Sequence, residues 1–494
     1  MNQPKAYLDE HIRLAEEAFQ FLKSTTVKER AALMNTMADK IESLGDELLQ
    51  TANAETALPL ARLTGEKART VGQWRSYAKA VAAGTYTEAR IDLANAEKAK
   101  NDIRKYGTGI GPVLVFGASN FPFAYSTAGG DTASAIGAGC PVIVKAHSGH
   151  TQTSIIMASA ITDAVKAFGW PEGVFSQVIG NDVEGTSTKI GAYLTAHSGI
   201  KAVGFTGSYW GGKALFDIAN QREEPIPVFA EMGSVNPVFA FKNVLAERAE
   251  TLAKEYAASL TLGCGQFCTN PGIFIAVKGE GLEHFKESLA KEIAPIVPVT
   301  MLNTGIHKAF EKNKNTLSSQ EATAVLAEAT TTAAEGQGRA KVIGTSAKTF
   351  LTNPILSEEV FGPFGILVEA DNYEEVLAVA KQVKGQLTIT VAATAQDIRE
   401  HSEIVNVLKD KCGRLLFNGM PTGVEVIYAM HHGGPFPSTT DARFTSVGPD
   451  AVRRFIRPIA FQNWPNEFLP AELKNENPLG ISRMVDGELT AKAI

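Results

Sequence analysis

The chain has 494 residues, 44% of them hydrophobic and 20% charged, with a formal net charge of −6. That length allows two or three domains around a large buried core, and the mixed, mildly acidic charge gives no reason to expect nucleic acid or an anionic membrane surface as partner. Four scattered cysteines (Cys140, Cys264, Cys268 and Cys412) make no disulfide framework and suit a reducing compartment.

Residues 1–5 lead directly into a charged amphipathic stretch with no apolar signal core. The most apolar region, 110–144, is interrupted by Asn120, Pro122, Asp131 and several glycines, so it is not a membrane span. A cytoplasmic location is expected. Leu8, Ile12, Ala15, Phe19 and Leu22 make the apolar face of a first helix. Thr26 and Glu29 form a capping box for a second, whose stripe reads Leu33, Met37, Ile41, Leu44 and Leu48. A third helix is expected over 64–82 with Val71, Trp74, Ala78 and Val81 inward, and it also carries Arg69 and Arg75, which on composition alone are surface charges.

From Ile110 onward short apolar runs alternate with helical stretches. Strands are expected over 113–116, 142–144, 177–179, 202–205 and 228–230, with helices near 124–138, 150–168, 184–196 and 208–220. This alternation predicts an α/β fold: a doubly wound parallel sheet whose ligand lies at the carboxyl ends of the strands. A second α/β unit follows, with strands over 237–241, 273–277, 350–351, 365–368, 387–391 and 414–417. Its helices are expected over 245–262, 281–292, 373–384 and 397–409. Residues 311–346, rich in Ala, Thr, Glu and Gly, read as loops, and residues 424–494 lack helical periodicity until Ala451.

The chemistry gathers at Gly263-Cys264-Gly265-Gln266-Phe267-Cys268-Thr269-Asn270-Pro271-Gly272. Glycines and a proline put Cys268 on a loop that can present its sulfur, although a free cysteine also serves as a small packing residue. Glu231 ends an apolar run before Gly233 and Pro237, and Asn120 follows a strand in Gly117-Ala118-Ser119-Asn120-Phe121-Pro122. Thiol, carboxylate and amide are the nucleophile, water-activating base and oxyanion donor that acyl transfer through a thioester requires. Cys264 reads as packing. Cys264 with Cys268, and the pairs His147/His150 and His431/His432, lack the remaining ligands of a zinc motif, so no metal is expected.

In this order and spacing, the three segments resemble the aldehyde dehydrogenase superfamily. The branch most similar is the α-ketoglutaric semialdehyde (2,5-dioxovalerate) dehydrogenases, through Ala128-Gly129-Gly130-Asp131-Thr132-Ala133, Gly265-Gln266-Phe267-Cys268-Thr269 and Asn418-Gly419-Met420-Pro421-Thr422-Gly423-Val424-Glu425-Val426. The resemblance implies two Rossmann-like α/β domains plus an oligomerisation arm. Residues 1–87 with 109–233 would bind the cofactor, 234–430 would carry the nucleophile, and 88–108 with 431–494 would form the arm and C-terminal region of a homodimer or homotetramer. It implies oxidation of an aldehyde to an acid by a Cys268 thioester, with one partly buried Glu231 of raised pKa assisting both half-reactions. The substrate implied is 2,5-dioxopentanoate, with aliphatic or fatty aldehydes as alternative. A thiol hydrolase or acyltransferase is the alternative of another class.

The same resemblance assigns the cofactor residues. No Gly-x-Gly-x-x-Gly follows the first strand, but Gly207, Ser208 and Gly212 match the loop that approaches a pyrophosphate, although a glycine cluster alone is only a turn signal. Lys145 matches a ribose-binding lysine. Ser148 stands where many relatives carry a glutamate that contacts the ribose hydroxyls, which removes repulsion toward a 2′-phosphate. NADP is therefore expected, with NAD as alternative. Glu359 is implied at the nicotinamide ribose and Phe361 beside the nicotinamide; composition alone makes Glu358 and Glu359 a solvated pair. On the substrate side stand Phe121 and Arg69, the latter at a tunnel-lining helix position where an arginine can hold an acidic end.

Overall fold

The computed structural model describes residues 2–494. Four helices open it: Lys5–Leu22, Val27–Glu42, Asp46–Thr56 and Leu60–Ala83. The capping box forms, with Thr26 Oγ1 accepting from the Glu29 N–H and the Glu29 carboxylate accepting from the Thr26 N–H. The stripe expected to continue through Leu44 and Leu48 is instead cut. Gly45 ends the run, and Leu48 belongs to the next helix, which also buries Ala52. The fourth helix begins at Leu60, earlier than its periodicity indicates, because Pro59 precedes its first turn. It buries Leu63, Glu66, Trp74, Tyr77 and Val81, and Gly84 closes it at φ +67°.

The first sheet has five parallel strands in the spatial order Phe175–Val178, Val142–Lys145, Val113–Phe116, Ala202–Thr206 and Val228–Glu231. Chain order runs outward in both directions from Val113–Phe116, so the strand order reverses between that strand and Ala202–Thr206. A crevice at the carboxyl ends results. Helices Gly130–Gly137, Thr151–Ala167, Ile190–Ala196 and Tyr209–Asn220 cross over between these strands. Two are shorter than expected: 124–129 is a turn, and 182–189 holds a short strand and a turn.

The second sheet has seven strands, ordered Ala324–Glu328, Lys341–Ser346, Phe364–Ala370, Ile273–Val277, Val238–Ala240, Gln386–Ala392 and Cys412–Phe417. Only the first pair is antiparallel. Two expectations fail here. Residues 350–351 lie in the helix Ala347–Thr352, capped by Ser346, while the strand precedes them. The 311–346 segment is largely ordered, holding the end of helix Thr304–Ser318 and three strands. The 397–409 stretch is two helices that meet at His401. A third sheet orders Ile456–Gln462, Ile103–Gly109, Arg90–Asp92, Arg483–Val485 and Glu488–Thr490. Residues 449–455 before it form 3-10 turns rather than an α-helix. No helix is long and apolar enough to cross a membrane, among the described residues.

Candidate active site

The Cys268 loop follows the helix Lys242–Thr261 through a turn in which Gly263, Cys264 and Gly265 all have positive φ. Gly265 is required by shape. A Cβ there would stand 2.3 Å from the Gly362 carbonyl carbon. Asn236 fixes the loop: its Nδ2 donates to the carbonyls of Cys268 (2.8 Å) and Asn270 (2.9 Å). Its own Oδ1 accepts from Ser234 Oγ and Thr388 Oγ1, and Gln386 Oε1 accepts from the backbone N–H groups of Val235 and Asn236. The thiol is thus held by buried, partnered amides, which are difficult to displace. Cys264 is buried packing, as expected.

Glu231 ends the fifth strand of the first sheet and is buried. His432 meets it there. His432 Nε2 lies 2.9 Å from Glu231 Oε1 and 3.5 Å from Cys268 Sγ, and Ser446 Oγ donates to Glu231 Oε2. His432 is placed by its backbone, whose N–H donates to Thr445 Oγ1 and whose carbonyl accepts from the Ser446 N–H. Sequence spacing offers no sign of this contact, since His432 stands 164 residues beyond Cys268. Its pairing with His431 is incidental.

The electrostatics differ from the expectation of a partly buried carboxylate with a raised pKa. Burial pushes the Glu231 carboxyl up, but the His432 charge and the His432 and Ser446 hydrogen bonds outweigh it, so Glu231 titrates below the ordinary carboxylate range. The Cys268 thiol moves the other way, raised well above its usual value by burial and then by the Glu231 charge. The two shifts oppose each other: the surroundings favour the ionised carboxylate and disfavour the thiolate. One ligand atom from each of Glu231, Cys268 and His432 lies within 4.8 Å of the others, a donor set that could also hold a soft divalent ion.

Asn120 is buried, and its Nδ2 donates to the Gln266 carbonyl at 3.0 Å, two residues before the thiol. An amide nitrogen carries two N–H groups, so one remains for another acceptor. The Phe121 ring packs against Phe267 and Tyr125, with centroids at 5.6 and 5.1 Å, and the Arg62 guanidinium lies 5.0 Å from both the Phe121 and Phe267 rings. Arg69 is half-buried over the Tyr125 ring, which lies 6.4 Å from the His432 ring. Arg75 differs. It is an exposed surface charge bound to Asp39 and Glu42.

Around the crevice of the first sheet, Ser208 caps the helix Tyr209–Asn220, its Oγ accepting from the Gly211 N–H. Gly207 precedes that cap, and Gly212 lets the helix approach the sheet, since a Cβ would stand 2.7 Å from Met232. Lys145 ends its strand half-buried, and its Nζ donates only to the Ala146 carbonyl; Ser148 is exposed in the next turn. Glu359 and Phe361 line a cavity with Phe267, Asn270 and Val235. The Glu359 carboxyl lies against Gly233, where a Cβ would stand 2.1 Å from Oε2, and burial pushes its pKa up to about 7. A helix N-terminus, a lysine without a carboxylate partner and a glycine held open beside Glu359 fit a dinucleotide phosphate, ribose and nicotinamide.

A thiol, an imidazole and a carboxylate meet beside the crevice of a doubly wound sheet, the class of scaffold on which dinucleotide-dependent enzymes are built. Residues 2–457 match the aldehyde dehydrogenase family, and the chain belongs to that family, which uses NAD(P). It is 44% identical over 487 residues to the alpha-ketoglutaric semialdehyde dehydrogenase 2 of Azospirillum brasilense, covering 98% of this chain and 92% of that one. It is also 44% identical over 493 residues to the alpha-ketoglutaric semialdehyde dehydrogenase of Acinetobacter baylyi, with the same coverage. Among solved structures, the 1-pyrroline-5-carboxylate dehydrogenase from Thermus with bound NAD has the same fold. Its TM-score is 0.77 at 20% identity, over 94% of this chain and 86% of that one.

Proposed function

We propose that the protein oxidises 2,5-dioxopentanoate to 2-oxoglutarate with NADP, or less well NAD, through a thioester on Cys268. The observation that carries the chemistry is the contact of His432 with both Cys268 and Glu231. Similarity to two dehydrogenases named for this semialdehyde supports the substrate.

Cys268 Sγ attacks the aldehyde carbon, and the thiol proton passes to the neutral form of the His432 imidazole, forming the imidazolium that Glu231 stabilises. The new oxyanion is held by the remaining Asn120 N–H and the Cys268 N–H, each such donor being worth about 3–4 kcal/mol in other enzymes. Glu359 and Phe361 would hold a nicotinamide, which would supply the hydride acceptor needed to turn the Cys268 adduct into a thioester. Glu231, with His432, then takes a proton from water. The water oxygen adds to the thioester carbon, the C–S bond breaks and the acid departs. Lys145 and Ser148 would hold the adenosine ribose, Gly207, Ser208 and Gly212 the pyrophosphate side, and Glu359 and Phe361 the nicotinamide end. Ser148 in place of a carboxylate and the Lys145 ammonium, which has no carboxylate partner, favour a 2′-phosphate. Phe121 and Arg69 bound the substrate.

The test is reduced-cofactor absorbance with 2,5-dioxopentanoate, NADP and NAD in parallel, and Cys268→Ala as control. Activity lost in the control supports the thioester reaction. Turnover of hexanal but not of the dioxo acid would keep the chemistry and reject the substrate. Inactivity toward every aldehyde would favour a thiol hydrolase or acyltransferase.

A further inference from the structure

Three arginines approach the substrate side with no ion-pair partner among the described residues: Arg62, Arg69 and Arg414. Each keeps one buried guanidinium nitrogen with no acceptor, Nη1 of Arg62, Nη1 of Arg69 and Nε of Arg414. A buried donor left unpaired is costly, the more so when charged, so the arrangement awaits an anion. Among the described residues, no carboxylate lies within ion-pair distance of the three. Glu66, buried on the helix of Arg62 and Arg69, acts on both only through its charge. Its Oε1 accepts from the N–H groups of Phe123 and Ala124 and its Oε2 has no partner, while Glu425, exposed, acts likewise on Arg414.

Two of the three grip a single loop. Arg414, on the edge strand Cys412–Phe417, donates from Nη1 to the Gly423 carbonyl (3.0 Å) and from Nη2 to the Pro421 carbonyl (2.7 Å). Arg69, from the helix Leu60–Ala83, reaches the next carbonyl, Val424, at 3.5 Å and the Tyr125 hydroxyl at 3.3 Å. Both arginines thus hold carbonyls of the 421–424 loop, Arg69 also meets the Tyr125 hydroxyl, and Arg414 lies within electrostatic range of Tyr125 and Cys268. Arg62 differs. It is stacked on Phe121 and Phe267, and its Nη2 is committed to the Asn120 carbonyl at 2.7 Å.

We infer that Arg69 and Arg414 form a divided cradle, Arg69 taking the carboxylate of the substrate and Arg414 Nε donating to its 2-oxo oxygen. This rests on the substrate reading above and adds a residue and a division of labour to it. The division follows from the donors left over. Arg69 has a free Nη1 and two long contacts to release, which suits a bidentate hold on a carboxylate. Arg414 has both Nη groups committed and only Nε to offer, which suits one carbonyl oxygen.

The experiment compares 2,5-dioxopentanoate, 5-oxopentanoate (same length, no 2-oxo group) and pentanal by kcat/KM in wild type, Arg69→Met, Arg414→Met and Arg414→Lys, with thermal unfolding of each. Arg69→Met is expected to lower both acids relative to pentanal by tenfold or more, mainly through KM. Both Arg414 variants are expected to lower the dioxo acid relative to 5-oxopentanoate by about tenfold, the loss of one hydrogen bond. Lysine keeps the charge but lacks the Nε donor, so Arg414→Lys separates the cradle from a simple need for folding. Equal losses on all three substrates in the Arg414 variants would make Arg414 a loop anchor and overturn the inference. So would the discrimination moving to Arg62→Met. A wild type that prefers pentanal to both acids would instead overturn the substrate reading, and the cradle with it.

Discussion

At the scale of single residues, His432 connects Cys268, the proposed nucleophile, to Glu231, the proposed base. His432→Ala is expected to lower kcat/KM by about 10²- to 10⁴-fold, the usual worth of a positioned acid–base group. Cofactor affinity, read by fluorescence titration, should be unchanged. Because burial and the Glu231 charge raise the thiol pKa, little thiolate exists at neutral pH. Iodoacetamide alkylation of Cys268 should therefore be slow at pH 7 and still climbing at pH 9. Glu231→Gln removes the repelling charge, so its alkylation curve should move to lower pH. The donor set of Cys268, His432 and Glu231 also predicts that micromolar Zn²⁺ inhibits and that a chelator restores activity.

At the scale of elements, the Cys268 loop depends on backbone fit. Gly265→Ala would place a Cβ in the Gly362 carbonyl at positive φ, so a loss of about 3 kcal/mol in chemical denaturation is expected, from strain and overpacking together. The parallel strands and the Cys268 loop were legible because periodicity and flanking Gly and Pro are local signals. Residues 350–351 misled for the same reason, since a two-residue apolar run cannot distinguish strand from helix. Ser346, a helix cap, was the better guide. His432, Arg62 and Arg414 carry no such local mark, because they join the site from distant segments through tertiary packing. Glu231 was found, but the direction of its pKa depended on the unseen imidazole.

At the scale of the whole molecule, the strands at two sheet edges are open. Cys412–Phe417 borders the seven-stranded sheet with Leu415 and Phe417 36% and 58% exposed, and Ile456–Gln462 borders the third sheet. Unpaired edges with apolar side chains are sites of strand addition. In keeping with the homodimer or homotetramer proposed from the family resemblance, light scattering should give a multiple of the chain mass. Phe417→Asp should shift it toward the monomer.

The placing of His432 and Ser446 beyond both large sheets has a consequence for biosynthesis. A ribosome makes the scaffold first, and domains fold as they emerge. A nascent chain halted before residue 432 would already have the strands of its two large sheets and its thiol, but not the imidazole that receives the thiol proton. Catalytic competence is thus withheld until the segment that follows both large sheets has been translated, and the sulfur stays quiescent while the scaffold is being made.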